Sequence, residues 1–188
     1  MTKTDENLYY DYLDGDSSAL NELLLRYDES LNLFIFSFVK NEEDAEELAL
    51  DTIARLAASD KVFQGKSTFK TWLFAIGRNL AIQFLRKHRL KTDPGGAENV
   101  PDRETPDIPM LNKERNRQLY LAMNQIKAEY RQALYLKYFE DMGVTEIAKV
   151  IDKSERQVSD LIYRGKQSLK KILEEEGFEY EDNGRESS

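Results

Sequence analysis

The sequence predicts an all-α protein built from two small helical domains joined by a flexible linker. Apolar residues recur at spacings of three and four along most of its 188 residues, which is the period of amphipathic helices. All four Pro residues fall within residues 92–109, which carry no periodic apolar residues. A structureless segment of that length is long for a loop inside one domain. We therefore predict a first domain at residues 1–91, a linker at 92–110, a second domain at 111–173 and an acidic tail at 174–188.

The helices of the first domain follow from their apolar spacing and their caps. A short helix fits the polar, Tyr-rich N-terminal segment. Asp16 is a good N-cap for a long amphipathic helix that continues to Phe38. Asn41 can end that helix and cap the next one, at residues 42–59. A last helix at residues 67–91 carries an apolar stripe of Phe69, Leu73, Ile76, Leu80 and Phe84. Amphipathic helices of these lengths can close a small core against one another.

The second domain ends in a predicted helix-turn-helix. Apolar periodicity predicts four helices, at about residues 111–126, 130–139, 144–151 and 154–173. Asp152 and Lys153 form a tight turn before the last helix, and Ser154 with Gln157 forms its capping box. A short helix, a tight turn and a long helix are the layout of a motif whose second helix enters the DNA major groove. The alternative is an ordinary helical hairpin with a solvated basic face.

Side-chain chemistry assigns two roles to the last helix if it binds DNA. Side chains near its start would face base edges, since Arg and Gln can bond bases bidentately; they are Ser154, Arg156, Gln157 and Ser159. Cationic side chains farther along would contact phosphates, and these are Lys166, Lys170 and Lys171, while Arg164 belongs to the same DNA-binding set.

Composition excludes several classes of protein. The chain has no Cys, which rules out disulfides and Cys-containing zinc sites, and His88 is its only His. A single His argues against a histidine metal cage or a His-dependent catalytic triad. No apolar run approaches membrane-spanning length, and the N-terminus lacks a signal-peptide core. We predict a cytoplasmic protein that does not insert into membranes, is not an enzyme and uses no cofactor or metal.

Charge is segregated along the chain. The formal net charge is −8, yet residues 66–91 hold seven Lys or Arg and no Asp or Glu. Residues 41–60 and 174–188 each hold seven acidic residues and one Arg. Such segregation suggests different faces for different partners. The basic helix also carries Trp72, the only Trp. A cationic helix with an exposed ring suits single-stranded nucleic acid, whereas a core Trp beneath a solvated basic face is the equal alternative.

Three stretches together resemble the sigma-70 family of bacterial transcription initiation factors, in its small extracytoplasmic-function (ECF) group. They are NEEDAEELALDTIARL at 41–56, FQGKSTFKTWLFAIGRNLAIQFLRK at 63–87, and YRQALYLKYFEDMGVTEIAKVIDKSERQVSDLIYRGKQSLKKIL at 130–173. The resemblance spans nearly the whole chain apart from the linker and the tail. It implies a factor that binds core RNA polymerase and directs it to specific promoters. Asp152 stands where the family often has Gly, and Asp tolerates the left-handed conformation of that turn.

The resemblance also implies site residues. The first domain would recognise and melt the −10 promoter element through Gln64, Lys66, Ser67, Thr68, Lys70, Trp72, Arg78, Asn79, Arg86 and Lys87. Its acidic helix would dock on the β′ clamp helices of RNA polymerase through Glu47, Leu48, Leu50 and Asp51. The second domain would read the −35 element with the last helix and meet the β flap with its opposite surface. The family further implies an anti-sigma factor as a partner.

Two other classes of function remain as alternatives at this point. A stand-alone helix-turn-helix regulator with a sensory or dimerisation domain would explain residues 111–173 but not the basic helix. A helical enzyme would need a phosphate loop, a metal cluster or a triad, and the sequence shows none of these.

Overall fold

The computed structural model describes residues 3–58, 63–91 and 114–175, and these ranges contain eight α-helices and no β-strand. The helices are α1 (Asp5–Leu13), α2 (Ser17–Val39), α3 (Glu42–Ala58), α4 (Phe69–Lys91), α5 (Glu114–Asn124), α6 (Ala128–Tyr138), α7 (Val144–Ile151) and α8 (Glu155–Glu175). The predicted all-α class is thus confirmed. The predicted linker and all but the first two residues of the predicted tail lie outside the described residues.

The polar residues predicted to cap the early helices do so. Asp16 Oδ1 accepts a hydrogen bond from the Ser18 amide at 3.0 Å at the start of α2. Asn41 Oδ1 accepts one from the Asp44 amide at 2.9 Å at the start of α3. The residue that closes α2 is Lys40 rather than Asn41, because Lys40 takes the left-handed conformation, with φ 59°, that ends the helix after Val39.

The apolar stripe of α4 faces the core that α1, α2 and α3 provide. Phe69, Leu73 and Leu80 are buried, and Ile76 and Phe84 are partly buried against the same core. The basic side chains of α4 therefore lie on its other faces, as the periodicity predicts.

The helix-turn-helix forms as predicted between α7 and α8. Asp152 ends α7 in the left-handed conformation, with φ 54° and ψ 56°. Ser154 Oγ accepts a hydrogen bond from the Gln157 amide at 3.3 Å, and Gln157 Oε1 accepts one from the Ser154 amide at 2.9 Å. This reciprocal pair is a capping box. Val158 is fully buried and anchors α8 against the rest of the unit.

The helices of the two predicted domains pack against each other. α4 lies along α7, and α2 contacts α6. The hydroxyl of Tyr135 donates to the Ser30 carbonyl at 2.8 Å, and that of Tyr120 donates to the Leu33 carbonyl at 3.2 Å. Both tyrosines are buried, and the Tyr135 ring lies 5.7 Å from the Phe34 ring. A single hydrophobic core therefore runs through both helical groups, and the domain boundaries stay a prediction.

Candidate nucleic-acid and partner surfaces

The first candidate surface combines the loop before α4 with the exposed sides of α4, and we call it the loop–helix surface. Of its loop side chains, Gln64, Lys66 and Thr68 are exposed and Ser67 is partly buried. Phe63 is buried at the base of this loop, with its ring 6.2 Å from that of Tyr9. The loop is therefore held on an aromatic base while its polar side chains face outward.

Trp72 belongs to that aromatic base. Its indole is partly buried, and its ring centroid lies 5.4 Å from Phe63, 5.6 Å from Tyr9 and 6.0 Å from Phe69. Edge-on and tilted packing of this kind stabilises aromatic clusters. Trp72 thus supports the loop from below and keeps part of its ring at the surface.

The first turn of α4 is capped by side chains of the first helical group and is also contacted by Glu146 of the second. Thr68 Oγ1 accepts a hydrogen bond from the Thr71 amide at 3.2 Å, and Glu6 Oε1 accepts one from the Phe69 amide at 2.9 Å. Both Thr68 and Thr71 also donate through their hydroxyl groups to Glu146 Oε1, at 3.1 and 3.2 Å. Glu146 lies on α7, so the second helical group reaches the start of this surface.

Lys70, a cation of this surface, makes both an ion pair and a hydrogen bond to one residue, Glu140. Its Nζ lies 2.8 Å from Glu140 Oε2 and donates to the Glu140 carbonyl at 2.7 Å. The Glu140 side chain is only 4% exposed, whereas that of Lys70 is 29% exposed. Because water is largely excluded from Glu140 and partly from Lys70, breaking this ion pair is more costly than breaking one at the surface.

The remaining side chains of the loop–helix surface differ in burial. Asn79, Arg86 and Lys87 are exposed along the distal part of α4. Arg78 is partly buried, and its Nε has no hydrogen-bond partner among the described residues. Burial lowers the pKa of Arg78, and the nearby Asp152 carboxylate opposes that effect. A buried guanidinium nitrogen with no acceptor is costly in the isolated protein.

The second candidate surface is the outward face of α8, which we call the recognition-helix surface. Its residues Ser154, Arg156, Gln157 and Ser159 are all exposed. The capping box occupies Ser154 and Gln157 in part, so Arg156 is the least constrained of the four. Farther along α8, Arg164, Lys166 and Lys170 are exposed.

Those three cations each have a local contact. Arg164 Nε bonds Asp160 Oδ1 at 3.0 Å. Lys166 Nζ lies 5.6 Å from the centre of the Tyr138 ring, and Lys170 lies 3.9 Å from Glu174. Exposed pairs of this kind contribute little to stability and yield readily to a phosphate.

Sequence reasoning missed three side chains of the recognition-helix surface. Asp160, Tyr163 and Gln167 are exposed and follow Arg156 along the face opposite to the buried Val158. Tyr163 is 64% exposed, which is unusual for an aromatic side chain. The sequence does indicate these side chains, because positions 156, 160, 163 and 167 follow the spacing of one helix face.

The third candidate surface is the acidic face of α3. Glu47, Leu50 and Asp51 are exposed, and Leu50 reaches 64% exposure. Leu48 is only 5% exposed and packs in the core, so its side chain does not form part of this surface. An exposed Leu between carboxylates suits a partner that offers an apolar contact ringed by cations.

The described residues offer little for small-molecule chemistry. No group of three or more His, Asp or Glu side chains in these ranges could hold a metal ion. A shallow cleft of about 270 Å³ lies between α6 and α8. Its lining mixes three cations with two carboxylates, so it favours neither charge sign. In the part of the chain that the structure describes, no helix is both long and apolar enough to cross a bilayer.

Comparison with known proteins finds a family match within each of the two helical groups. Residues 26–91 match the family described as sigma-70 region 2, and residues 116–169 match sigma-70 region 4. The ECF RNA polymerase sigma factor SigX of Bacillus subtilis is 30% identical over 155 residues, covering 79% of this chain and 80% of SigX. The ECF RNA polymerase sigma factor SigW of the same organism is 24% identical, covering 85% of this chain and 91% of SigW.

A solved structure shares the fold. It is the complex of the sigma factor RpoE with the anti-sigma factor NepR from Bartonella quintana. The match has a TM-score of 0.67 at 22% identity and covers 82% of this chain and 96% of that chain.

Proposed function

Because the chain belongs to the sigma-70 family and to its extracytoplasmic-function group, we propose that each of its surfaces serves one step of transcription initiation. The chain is a sigma factor that directs RNA polymerase to promoters. The observation that carries this function is that region 2 and region 4 matches occur in order, at residues 26–91 and 116–169. A stand-alone helix-turn-helix regulator would leave the first match unexplained, so that alternative is not favoured.

The acidic face of α3 is the proposed docking surface for the β′ clamp helices of core polymerase. Glu47 and Asp51 supply negative charge, and the exposed Leu50 supplies an apolar contact between them. Charge complementarity of this kind raises the rate of encounter and fixes the register. The buried Leu48 positions this turn of α3 from beneath.

The loop–helix surface is the proposed site for the −10 element. Loop residues such as the exposed Gln64 and the partly buried Ser67 would bond the edges of unstacked bases, and Trp72 would offer or brace a ring face against them. The cations farther along α4, Arg86 and Lys87, would hold the strand through its phosphates. Binding of single-stranded bases stabilises the melted state relative to the duplex, which is how such a surface favours promoter opening.

The recognition-helix surface is the proposed reader of the −35 element. Arg156 and Ser159 face outward in the first turns of α8, where a docked helix presents side chains to base edges. Arg164 and Lys166 lie farther along and would neutralise phosphates. The opposite side of this helical unit would meet the β flap.

The two DNA-binding surfaces each bind weakly, and their presence in one factor makes it selective for promoters that carry both elements. Once one promoter element is bound, the other reader acts at a high effective concentration. Polymerase supplies the geometry that holds both elements at the right separation. The acidic free protein, with its net charge of −8, should bind promoter DNA poorly by itself.

The family membership supports two further proposals. RpoE was solved in complex with an anti-sigma factor, and we propose a partner of that class for this chain. The protein would act in the cytoplasm, where polymerase is, as an initiation factor rather than as an enzyme. The predicted absence of catalysis rests on the family and on the lack of a triad or phosphate loop in the sequence.

Transcription in vitro tests the function directly. Sequencing of transcript 5′ ends after overexpression in the source bacterium identifies candidate promoters. Purified protein and core polymerase are then assayed for run-off transcription from those promoters, with core alone and protein alone as controls. We expect transcripts only when both are present. Absence of promoter-specific transcripts with core polymerase would contradict the function.

A further inference from the structure

We propose that α1 sets the conformation of the loop before α4, residues 63–68, with Glu6 and Tyr9 as positioning residues for recognition of the −10 element. The inference rests on the proposed function, since it assigns base reading to that loop. The region 2 match begins at residue 26, so α1 lies outside the matched segment. The contacts that carry the inference all lie within the first helical group.

Tyr9 contacts both ends of this loop. Its side chain is 1% exposed, and its ring centroid lies 6.2 Å from that of Phe63, at the start of the loop, and 5.5 Å from that of Phe69, just after its end. The two Phe rings lie 6.1 Å apart, so Tyr9 completes an aromatic cluster that holds the loop ends together. Burial raises the pKa of Tyr9, and a hydrogen bond with the Phe63 backbone partly opposes that rise. Tyr9 therefore fixes the loop through both its ring and its hydroxyl group.

Glu6 caps the helix that follows the loop. Its Oε1 accepts a hydrogen bond from the amide of Phe69, the first residue of α4, at 2.9 Å. The first turn of α4 has no acidic residue of its own, and a carboxylate at that end interacts favourably with the helix dipole. Glu6 thus fixes the point at which the loop ends and α4 begins.

α1 is itself held in place by contacts with α2 and α3. Arg26 Nη1 donates to Asp5 Oδ1 at 2.6 Å, and the Tyr27 hydroxyl bonds the other carboxylate oxygen of Asp5. The Tyr12 hydroxyl donates to the Ala57 carbonyl of α3 at 3.3 Å. These contacts lie at opposite ends of α1, so they oppose both rotation and sliding of the helix. The loop that packs on α1 is therefore held in one position.

The side chains between the two anchored ends of the loop face outward. Gln64, Lys66 and Thr68 are exposed, and Gly65 turns the backbone with a left-handed φ of 67°. Polar side chains discriminate between bases only if their positions are fixed by the groups beneath them. A loop ordered in advance also avoids the entropy cost of ordering it when DNA binds. The contacts with α1 should therefore act on promoter opening and base discrimination rather than on polymerase docking.

Fluorescence of Trp72, the only Trp in the chain, measures the state of the loop base in the free protein. Its ring centroid lies 5.4 Å from that of Phe63 and 5.6 Å from that of Tyr9. Glu6→Ala removes the acceptor of the Phe69 amide, so acrylamide should quench Trp72 more strongly than in the wild type. Glu6→Gln keeps an oxygen acceptor and should stay close to the wild type.

Asp11→Ala is the matched control on the same helix. The Asp11 carboxylate pairs with Lys3 at 2.6 Å at the surface, so its removal leaves the loop contacts unchanged. Tyr9→Phe is a second test variant, because it keeps the buried ring and removes only the hydroxyl group. Urea unfolding shows that each variant is fully folded under the conditions of the assays.

Permanganate footprinting with core polymerase then measures the effect on function. On promoters identified from transcript 5′ ends, Glu6→Ala should reduce opening roughly tenfold relative to Asp11→Ala, because a hydrogen bond to a charged group is lost. Discrimination against single-base changes in the −10 element should also fall, whereas affinity for core polymerase should keep its wild-type value. Glu6→Gln should restore most of the opening, and Tyr9→Phe should lose less of it than Glu6→Ala does.

Equal opening by Glu6→Ala and Asp11→Ala would overturn the inference, and so would unchanged quenching of Trp72 in Glu6→Ala. An equal loss of opening and of core affinity would also overturn it, because α1 would then be a general structural element. Failure of the proposed function would look different, since the wild type itself would then open no promoter, while the quenching of Trp72 would still report on the loop.

Discussion

The backbone of Gly77 on α4 passes so close to Leu31 on α2 that a Cβ at position 77 would lie 2.9 Å from Leu31 Cδ1. The same atom would lie 3.5 Å from Thr52 Oγ1 on α3. Leu31 and Thr52 are both fully buried, so neither can move freely away. Three helices of the first group therefore meet at a point that only Gly fits without a shift of its neighbours.

We expect Gly77→Ala to destabilise the protein even though Ala is the better helix former. The added methyl group overpacks the core, which typically costs about 1–3 kcal/mol, against a gain in helix propensity of about 1 kcal/mol. Urea unfolding should show a net loss, and thermal melting a lower Tm. Gln83→Ala, at an exposed position of the same helix, serves as the control and should be neutral. A Gly77→Ala variant as stable as that control would contradict the close packing.

Lys40 should make stability depend on pH. Burial, reinforced by the nearby Arg131 cation, lowers the pKa of Lys40 to about 7. In the unfolded chain this pKa returns to about 10.4. Between these values the unfolded chain binds a proton that the folded protein lacks, so the free energy of unfolding rises with pH. A difference of one bound proton between the unfolded and folded states changes the free energy of unfolding by at most about 1.4 kcal/mol per pH unit.

The variant Lys40→Met isolates that contribution. Urea unfolding at pH 7, 8 and 9 should show that the variant gains less stability with increasing pH than the wild type does. The slope with pH is the diagnostic quantity, because the substitution also removes the hydrogen bond from Lys40 Nζ to Asn124 Oδ1 at 2.5 Å. Parallel pH profiles of the two proteins would show that Lys40 keeps its ordinary pKa.

The capping box of α8 should contribute measurably to stability. Ser154→Ala removes the acceptor of the Gln157 amide, and loss of such a cap costs about 1 kcal/mol. Ser159 bonds the Glu155 carbonyl one turn back instead, so Ser159→Ala should change stability by less than about 0.5 kcal/mol. Equilibrium urea unfolding compares the two. Equal losses would mean that the reciprocal bonds at Ser154 are not a stabilising cap.

The exposed Leu50 should contribute to binding rather than to folding. Leu50→Ala should weaken affinity for core polymerase roughly tenfold, since burial of a Leu side chain contributes about 1.5–3 kcal/mol. Leu25 is 84% exposed on α2, so Leu25→Ala is a control with the same change in another place. Fluorescence anisotropy with labelled protein measures both. The proposed docking surface would be wrong if both variants bound core polymerase as the wild type does.

Trp72 should affect promoter opening more than polymerase binding. Trp72→Ala removes a ring that packs on Phe63 and Phe69 beneath the loop, so the loop should lose its fixed position. Permanganate footprinting of melted thymines measures opening, and anisotropy measures binding to core. Trp72→Phe keeps an aromatic ring and should retain more opening. Equal loss of opening and of polymerase binding in Trp72→Ala would mean that Trp72 is simply a core residue.

Local features of this protein were predictable because they depend on neighbours in sequence. The apolar stripe of α4, the caps at Asp16 and Asn41, and the left-handed turn at Asp152 all follow from spacing and side-chain chemistry over a few residues. The chemistry of the last helix was predictable for the same reason. The exposure of Tyr163 also follows from helical spacing, since it lies on the face opposite to Val158.

The partners of the candidate site were not predictable from the same kind of information. Glu140 and Glu146 lie about 70 residues or more from Lys70 and Thr68 in the chain, and no periodicity links positions so far apart. The burial of Leu48 and the exposure of Leu50, by contrast, follow from helical spacing, because two positions apart on a helix lie on nearly opposite faces.

The amino-acid sequence by itself determined the all-α class, the main caps, the basic and acidic helices and the family. Only the tertiary structure decided that the second helical group contacts the start of the basic helix, at Thr68 and Lys70, while the recognition helix and the acidic α3 face stay exposed. The physical reason is the separation along the chain of the residues that interact. Helix formation and charge patterning are local, whereas the burial of Tyr135 against α2 and the pairing of Lys70 with Glu140 depend on how whole helices pack.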